Sequence, residues 1–365
     1  MKYTPDTIRE VKRPELPIPM SALSLAGERI MLVGGAGFIG HHLALGCRRL
    51  GAEVMVVDNL QINNLVKLVS DPGIEPTIRR LHLNFVLDRF EMMREAGVEI
   101  VNVDARAMAD LTEPFSEFAP TKVVHLAAIS SAVIADQHPG LAYDIQINTL
   151  RNVLELSRMK TAQVGQIMFM SSSTVYGDFE TDSVDETVRP KPRGVYANGK
   201  YIGERMVREA WSLHHIPYTI IRPSALYGVR CISQRVSQKF MENALLDKPL
   251  YLEGGGGGRL DFTVIEDLVQ GMLRALALET GLAMTFNLTY GNARTIAELA
   301  DILKEYVPKV RIEERPPAPQ KPKRGTLEIH RARAYLGFEP EIPLEIGYRR
   351  YCEWYLEEWD RLKRN

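Results

Sequence analysis

The sequence predicts an α/β fold, a doubly wound parallel sheet with a smaller, mixed α/β lobe at its C-terminal end. Three observations predict it. Short apolar runs alternate with helix-length segments across residues 28–225, the pattern of βαβ units whose sheet is covered on both faces. The first run passes at once into a glycine-rich turn that opens a helix. From about residue 226 the rhythm changes to helical segments, a run of five glycines and a proline-rich stretch. A chain of 365 residues has room for two such units.

Residues 1–27 show no sustained periodicity and read as an extension laid over the surface or partly disordered. Arg29–Val33 is the first strand, bounded by glycines, and a helix follows to about Leu50. Glu53–Val57 is the second strand; further apolar runs stand at Val98–Val103, Lys122–Leu126, Gln166–Met170 and Tyr218–Ile221. Between them Leu141–Met159 and Val195–Leu213 have helical length. The connection from Asp58 to Val98 is long for a crossover and contains helix-compatible pieces such as Phe85–Ala96, so an extra helical hairpin is expected there. In the last third, helices are expected near Gln234–Leu246, Ile265–Glu279 and Thr295–Val307. Glu253 is followed by Gly254–Gly258, and Pro316, Pro317, Pro319 and Pro322 make Glu314–Arg324 a loop. Tyr351, Trp354, Tyr355 and Trp359 recur at helical spacing and are expected to pack a terminal helix on the small lobe.

Composition excludes several classes. Forty-five basic residues against 46 acidic ones leave a net charge of −1, with no electrostatic footprint for a nucleic acid or an acidic membrane. Cys47, Cys231 and Cys352 are too few and too scattered for a disulfide framework or a structural zinc, so a reducing, cytoplasmic setting is expected. No apolar run is long enough to span a membrane. The first twenty residues hold charges and four prolines where a signal peptide would have an apolar core. His41-His42 lacks the further partners a metal needs, and His214-His215 reads as a helix end.

Gly34-Gly35-Ala36-Gly37-Phe38-Ile39-Gly40 satisfies G-x-G-x-x-G through Gly35, Gly37 and Gly40. That spacing permits a tight turn, close backbone approach to a pyrophosphate and close helix–strand packing, with free N–H groups at the helix start. Asp58 ends the second strand 18 residues after Gly40, where a carboxylate accepts bonds from an adenosine ribose and repels a 2′-phosphate. The expectation is a Rossmann-type domain binding NAD rather than NADP. Tyr196 and Lys200 are four residues apart at the start of a helix, on one face. An ammonium beside a phenol favours the phenolate. The pair follows Met168–Gly177, a strand running into small hydroxyl residues, and α/β folds bind ligands at the carboxyl ends of their strands.

With these blocks in place, the chain resembles the extended short-chain dehydrogenases/reductases, in their nucleotide-sugar epimerase/dehydratase branch, over about residues 28–350. The landmarks occur in order: GGAGFIG (Gly34–Gly40), VVDN (Val56–Asn59), HLAA (His125–Ala128), Asn148, SSSTVYG (Ser171–Gly177), YANGK (Tyr196–Lys200), IRPSALYG (Ile221–Gly228) and LDF (Leu260–Phe262). The resemblance implies an NAD-binding domain at 28–225 and a substrate lobe at 226–365, interleaved, with Tyr196 as acid/base, Lys200 as its tuner and nicotinamide-ribose ligand, and Ser172 as hydroxyl partner of the reacting sugar oxygen. Asp104 and Ala105 would lie near the adenine, Ala127, Ala128 and Ser130 beside the cofactor, and Pro223 by the nicotinamide amide. Phe38, Ile39, Asn59, Leu126 and Asn148 complete the implied cofactor set.

Ser173 and Thr174 follow Ser172 where the related dehydratases carry an Asp-Glu pair and the decarboxylases a Glu. Neither hydroxyl is a general acid at neutral pH. The expected activity is therefore a nucleotide-sugar 4-epimerase working by transient oxidation at C4, rotation of the keto sugar and return of the hydride. The alternatives are a 4,6-dehydratase or 4-ketoreductase, or a regulator that senses NAD without turnover. Two departures fall on the diphosphate side: Ala225 replaces an asparagine, and Leu260 replaces an arginine whose nearest equivalent is Arg259. Arg230, Arg235, Lys239 and the segment 315–333 are candidate replacements. That segment carries Arg315, Lys321, Lys323, Arg324, Arg331 and Arg333 against Glu328. The substrate set expected on these grounds is Ser130, Ser172, Ser173, Thr174, Ala225, Arg230, Arg235, Arg259 and Arg324. The resemblance also implies a homodimer in which Leu141–Met159 and Val195–Leu213 form a four-helix bundle.

Overall fold

The computed structural model describes Thr4, Thr7 and residues 16–159, 161–316 and 322–364. Seven strands form one parallel sheet: β1 (Arg29–Val33), β2 (Glu53–Asp58), β3 (Glu99–Asn102), β4 (Lys122–His125), β5 (Gln166–Met170), β6 (Tyr218–Arg222) and β7 (Met284–Asn287). Their order is β7-β6-β5-β4-β1-β2-β3. The expected runs account for six of them. The seventh comes from the C-terminal third and pairs with β6 from Met284 opposite Thr219 to Asn287 opposite Arg222. Strand order reverses between β1 and β4, which opens a crevice beyond their carboxyl ends.

Central strands are buried along almost their whole length, as a sheet covered on both faces requires. One apolar layer sets Leu43, Ala44 and Cys47 of the Phe38–Arg49 helix against Leu268, Met272 and Leu273 of the Ile265–Ala277 helix. The other packs Leu150, Val153 and Val207 on Met31, Val123 and Phe169. A third core fills the small lobe, where the Leu344–Arg364 helix buries Tyr351, Tyr355 and Trp359 as its spacing predicts, with Trp354 partly buried beside them. The 59–97 connection does form helices, Leu65–Ser70 and Pro76–Glu95. The second starts nine residues before Phe85, with Pro76 in its first turn and the Glu75 carboxylate accepting from Ile78 N–H at 2.8 Å. It packs on the small lobe, with Phe85 and the Trp354 ring 4.7 Å apart.

Leu141–Met159 is not one regular helix. It divides into Pro139–Tyr143, a π-turn at Asp144–Asn148 and Thr149–Ser157. Of the N-terminal extension, Leu23 and Leu25 are buried and the Ile18 carbonyl accepts from Arg274 at 2.7 Å, so the described part lies on the sheet domain. Residues 1–3, 5–6, 8–15 and 317–321 fall outside the described residues, and with them Lys321, Pro317 and Pro319.

Candidate active site

The turn after β1 needs its glycines. Gly34 has φ +77°, and a Cβ there would stand 2.6 Å from the Ala127 nitrogen at the end of β4. A Cβ on Gly40 would meet the Gly35 carbonyl at 2.1 Å, so the helix reaches the strand only because both residues are bare. Gly37 instead faces open space, its nearest neighbour 3.8 Å away. No side chain caps the helix that begins at Phe38, which leaves its first N–H groups for an anion. Asp58 closes the loop from below: Oδ2 accepts from Ala36 N–H at 3.0 Å and Oδ1 from Leu60 N–H at 2.8 Å. Burial pushes its carboxyl up, while those two bonds and the charge of Arg89 oppose the shift.

A cavity extends from this loop. Gly34, Gly37, Phe38, Ile39 and Gly40 form one wall, and Asp58, Asn59, Asp104 and Ala105 form the end beyond β2 and β3. Leu126, Ala127, Ala128 and Ser130 close the side of β4. Asn59 donates to Asp104 at 3.1 Å, and Arg106 holds the Asp104 carboxyl down to about 2. An uncapped helix start, an open Gly37 face and a carboxylate at the strand end suit the pyrophosphate and adenosine of a dinucleotide.

Among the wall residues missed in the sequence, one is a buried arginine. Arg89, on the Pro76–Glu95 helix, is fully buried and lines this cavity. Its Nε donates to the Arg230 carbonyl at 3.1 Å, Nη2 bonds the same oxygen, and Nη1 reaches the Asn63 carbonyl at 3.5 Å. Among the described residues it has no ion pair. The signal was present: Ile78, Leu81, Phe85 and Met93 mark a buried helix face, and Arg89 stands on it.

A second cavity, of about 370 Å³, adjoins the first and shares Ile39, Leu126, Ala128, Ser130 and Arg235 with it. Ser172, Ser173 and Thr174 form a hydroxyl wall, faced by Tyr196 and Lys200 and flanked by Pro223 and Ala225. The Ser172 hydroxyl lies on the same wall as the Tyr196 phenol, near enough to help lower its pKa. Burial pushes that phenol up; Arg235, the Ser172 hydroxyl and Arg324 pull it down. Lys200 donates to the Met170 carbonyl at 2.7 Å, 6.0 Å from the Tyr196 ring, and burial lowers its ammonium to about 7. Arg235 and Arg324 add their positive charge to the field at the phenol.

The wall is braced from behind. Ser171 donates to Glu204 at 2.6 Å, and Arg222 forks onto the same carboxylate at 2.8 and 2.6 Å, both partners buried. Arg222 stacks 4.7 Å over Tyr176, whose hydroxyl donates to Asn287 at 2.8 Å. Strand β7 thus supports the loop that carries Ser172.

Several expected residues stay outside. Asn148 bonds Asp144 at 2.7 Å, and Thr149 lines the cofactor cavity in its place. The π-turn inserts one residue ahead of Thr149, which moves the next position onto the inner face. Arg230 turns to His41, 3.3 Å away. Arg259 is exposed, with its Nη2 on the Ala293 carbonyl at 3.1 Å. Extended backbone explains this: Leu260 and Phe262 line the cavity, so Arg259 and Asp261 point the other way. A one-place shift cannot be compensated by a neighbour. The basic segment does not converge either. Arg315 stacks on Tyr251, Arg333 pairs with Glu339 at 3.0 Å, and Arg331 stands 3.8 Å from Glu186. Only Arg324 of that segment's described residues lines the cavity. The histidine pair packs as expected, His41 Nδ1 against the Gly37 carbonyl at 2.9 Å. Among the described residues no side-chain cluster suits a metal, and no helix is long and apolar enough to cross a membrane.

Residues 30–288 match the model of the NAD dependent epimerase/dehydratase family. UDP-glucuronate 4-epimerase 1 of Arabidopsis thaliana is 27% identical over 351 residues, covering 90% of this chain and 77% of that protein. UDP-glucuronic acid decarboxylase 2 of the same plant is 29% identical over 341 residues, covering 90% and 68%. The crystal structure of UDP-glucose 4-epimerase from Thermotoga maritima with UDP-glucose superposes with a TM-score of 0.77 at 25% identity, over 90% of this chain and 99% of that one.

Proposed function

The chain belongs to the NAD dependent epimerase/dehydratase family, and from that premise we propose that it is a nucleotide-sugar 4-epimerase. The observation that carries the choice is the second cavity. Ser172, Ser173 and Thr174 form its reactive wall, and among the described residues no aspartate or glutamate lines it. Elimination of water from a keto sugar needs a proton donor at the leaving hydroxyl; epimerisation needs only a proton taken and returned at one oxygen. The wall suits the second.

Gly37, the helix start at Phe38 and Asp58 hold NAD in this reading, and bound NAD supplies the oxidant and then the reductant at C4. Tyr196 takes the proton of the C4 hydroxyl and later returns it. The Ser172 hydroxyl, on the same wall as the phenol, steers the sugar oxygen onto it. Arg235 and Arg324 favour the phenolate, and Lys200 holds the strand end at Met170 beside it. Ala225, Leu260 and Phe262 offer the sugar few directional bonds, so the ring can turn between the two halves of the reaction.

Incubation with UDP-, GDP-, CDP- and dTDP-hexoses, read by NMR, tests this. An epimer formed without net change in cofactor is expected; a 4-keto-6-deoxy product overturns the reading. Asp58→Asn is expected to raise the Kd for NAD about tenfold or more, as loss of a charged hydrogen-bond acceptor implies, and to narrow the preference over NADP. Fluorescence titration checks it, and unchanged affinities would remove Asp58 from the cofactor site. The same reading has two copies joined through the expected helices, whose Leu141, Met159, Ile202 and Leu213 are exposed, in the cytoplasm.

A further inference from the structure

We propose that the sugar this site takes carries a carboxylate, as a hexuronate does, and that Arg324 is the group that recognises it. This rests on the nucleotide-sugar reading and adds to it the class of sugar. Lys200, Arg235 and Arg324 bring three cations to the second cavity, and among the described residues no acidic one lines it. Part of that charge answers a diphosphate, but position separates the roles. In a pyranose the diphosphate leaves from C1, across the ring from C4, whereas a C6 carboxylate hangs from C5, next to C4. Tyr196 marks the C4 end.

Arg324 stands at that end. Its Nη1 donates to the Ser173 carbonyl at 2.9 Å and its Nη2 to the Ser173 hydroxyl at 3.0 Å, so the guanidinium lies along the hydroxyl wall, 5.4 Å over the Phe179 ring. Its charge reaches the Tyr196 phenol. Among the described residues it forms no ion pair, although burial lowers its guanidinium to about 10. A desolvated guanidinium with unused N–H groups is restored by a carboxylate, which matches its fork. On the same wall the Thr174 hydroxyl is buried with no hydrogen-bond partner, and a carboxylate oxygen would accept from it. A neutral C6 hydroxyl can accept one such bond but supplies neither the charge nor the pair of oxygens that the guanidinium fork matches.

Steady-state kinetics on UDP-glucuronate and UDP-glucose, with UDP as inhibitor, test this. The unmodified protein is expected to favour the uronate at least tenfold in kcat/KM. Arg324→Gln should lower that ratio at least tenfold, mainly through KM for the uronate, with the inhibition constant of UDP changing less than twofold. Arg324→Lys, which keeps charge without the fork, should fall between. Equal or better use of UDP-glucose by the unmodified protein overturns the proposal and leaves the epimerase reading standing. So does a parallel loss for uronate, hexose and UDP in Arg324→Gln, which would put this arginine on the diphosphate. Should Arg324→Gln not fold by circular dichroism, the unmodified protein's preference and Arg324→Lys still decide. Absence of turnover on any sugar nucleotide overturns the epimerase reading itself.

Discussion

Tyr196→Phe is expected to reduce epimerisation by about 10²–10⁴-fold, the usual contribution of a general acid–base group, while the Kd for NAD stays within a factor of two. The substitution removes one oxygen and keeps the ring that packs beside Ile129 and Ala135. Ser172 offers another hydroxyl on that wall, but a serine is far too weak an acid to take over at neutral pH. Titration of cofactor binding beside a turnover assay separates the two effects. Turnover near the unmodified rate would remove Tyr196 from the mechanism. A large loss of NAD affinity would make the residue a cofactor ligand first.

Glu204→Ala is expected to destabilise the fold by about 3–5 kcal/mol, because it strands the buried Arg222 guanidinium. Ser171 loses its acceptor at the same time, so the hydroxyl wall loosens and turnover falls along with thermal stability. Glu204→Gln, which keeps an acceptor for Ser171, should lie between the two. Denaturant unfolding monitored by circular dichroism measures the first effect. A loss below 1 kcal/mol would show that water reaches Arg222 and that the brace is not sealed.

Much of this site could be read from residue order because its chemistry is local. The glycine loop, the acid that ends β2 and the Tyr196–Lys200 spacing each depend on a few consecutive residues, and each lands on the expected element. What escaped depends on distant parts of the chain. Arg89 reaches the cofactor cavity from a 20-residue helix that has no motif. The residues of β7, Met284–Asn287, alternate apolar with polar and form no apolar run, so they gain their place by pairing with β6. Asn148 is displaced by a π-turn that leaves no mark in composition. Arg324 was recognisable as a cation, but its direction was not: it bonds Ser173, 151 positions earlier in the chain.

The seventh strand has a consequence for the order in which the molecule is made. Until Asn287 has left the ribosome, β6 has one bare edge, and Tyr176 lacks the Asn287 acceptor behind the serine loop. The nascent cofactor half therefore carries an open, apolar sheet margin while some sixty further residues are synthesised, between Arg222 and Met284. Such a margin is where chains pair wrongly with one another. A fragment ending at residue 225 should accordingly associate with its own copies rather than stand as an independent cofactor-binding unit.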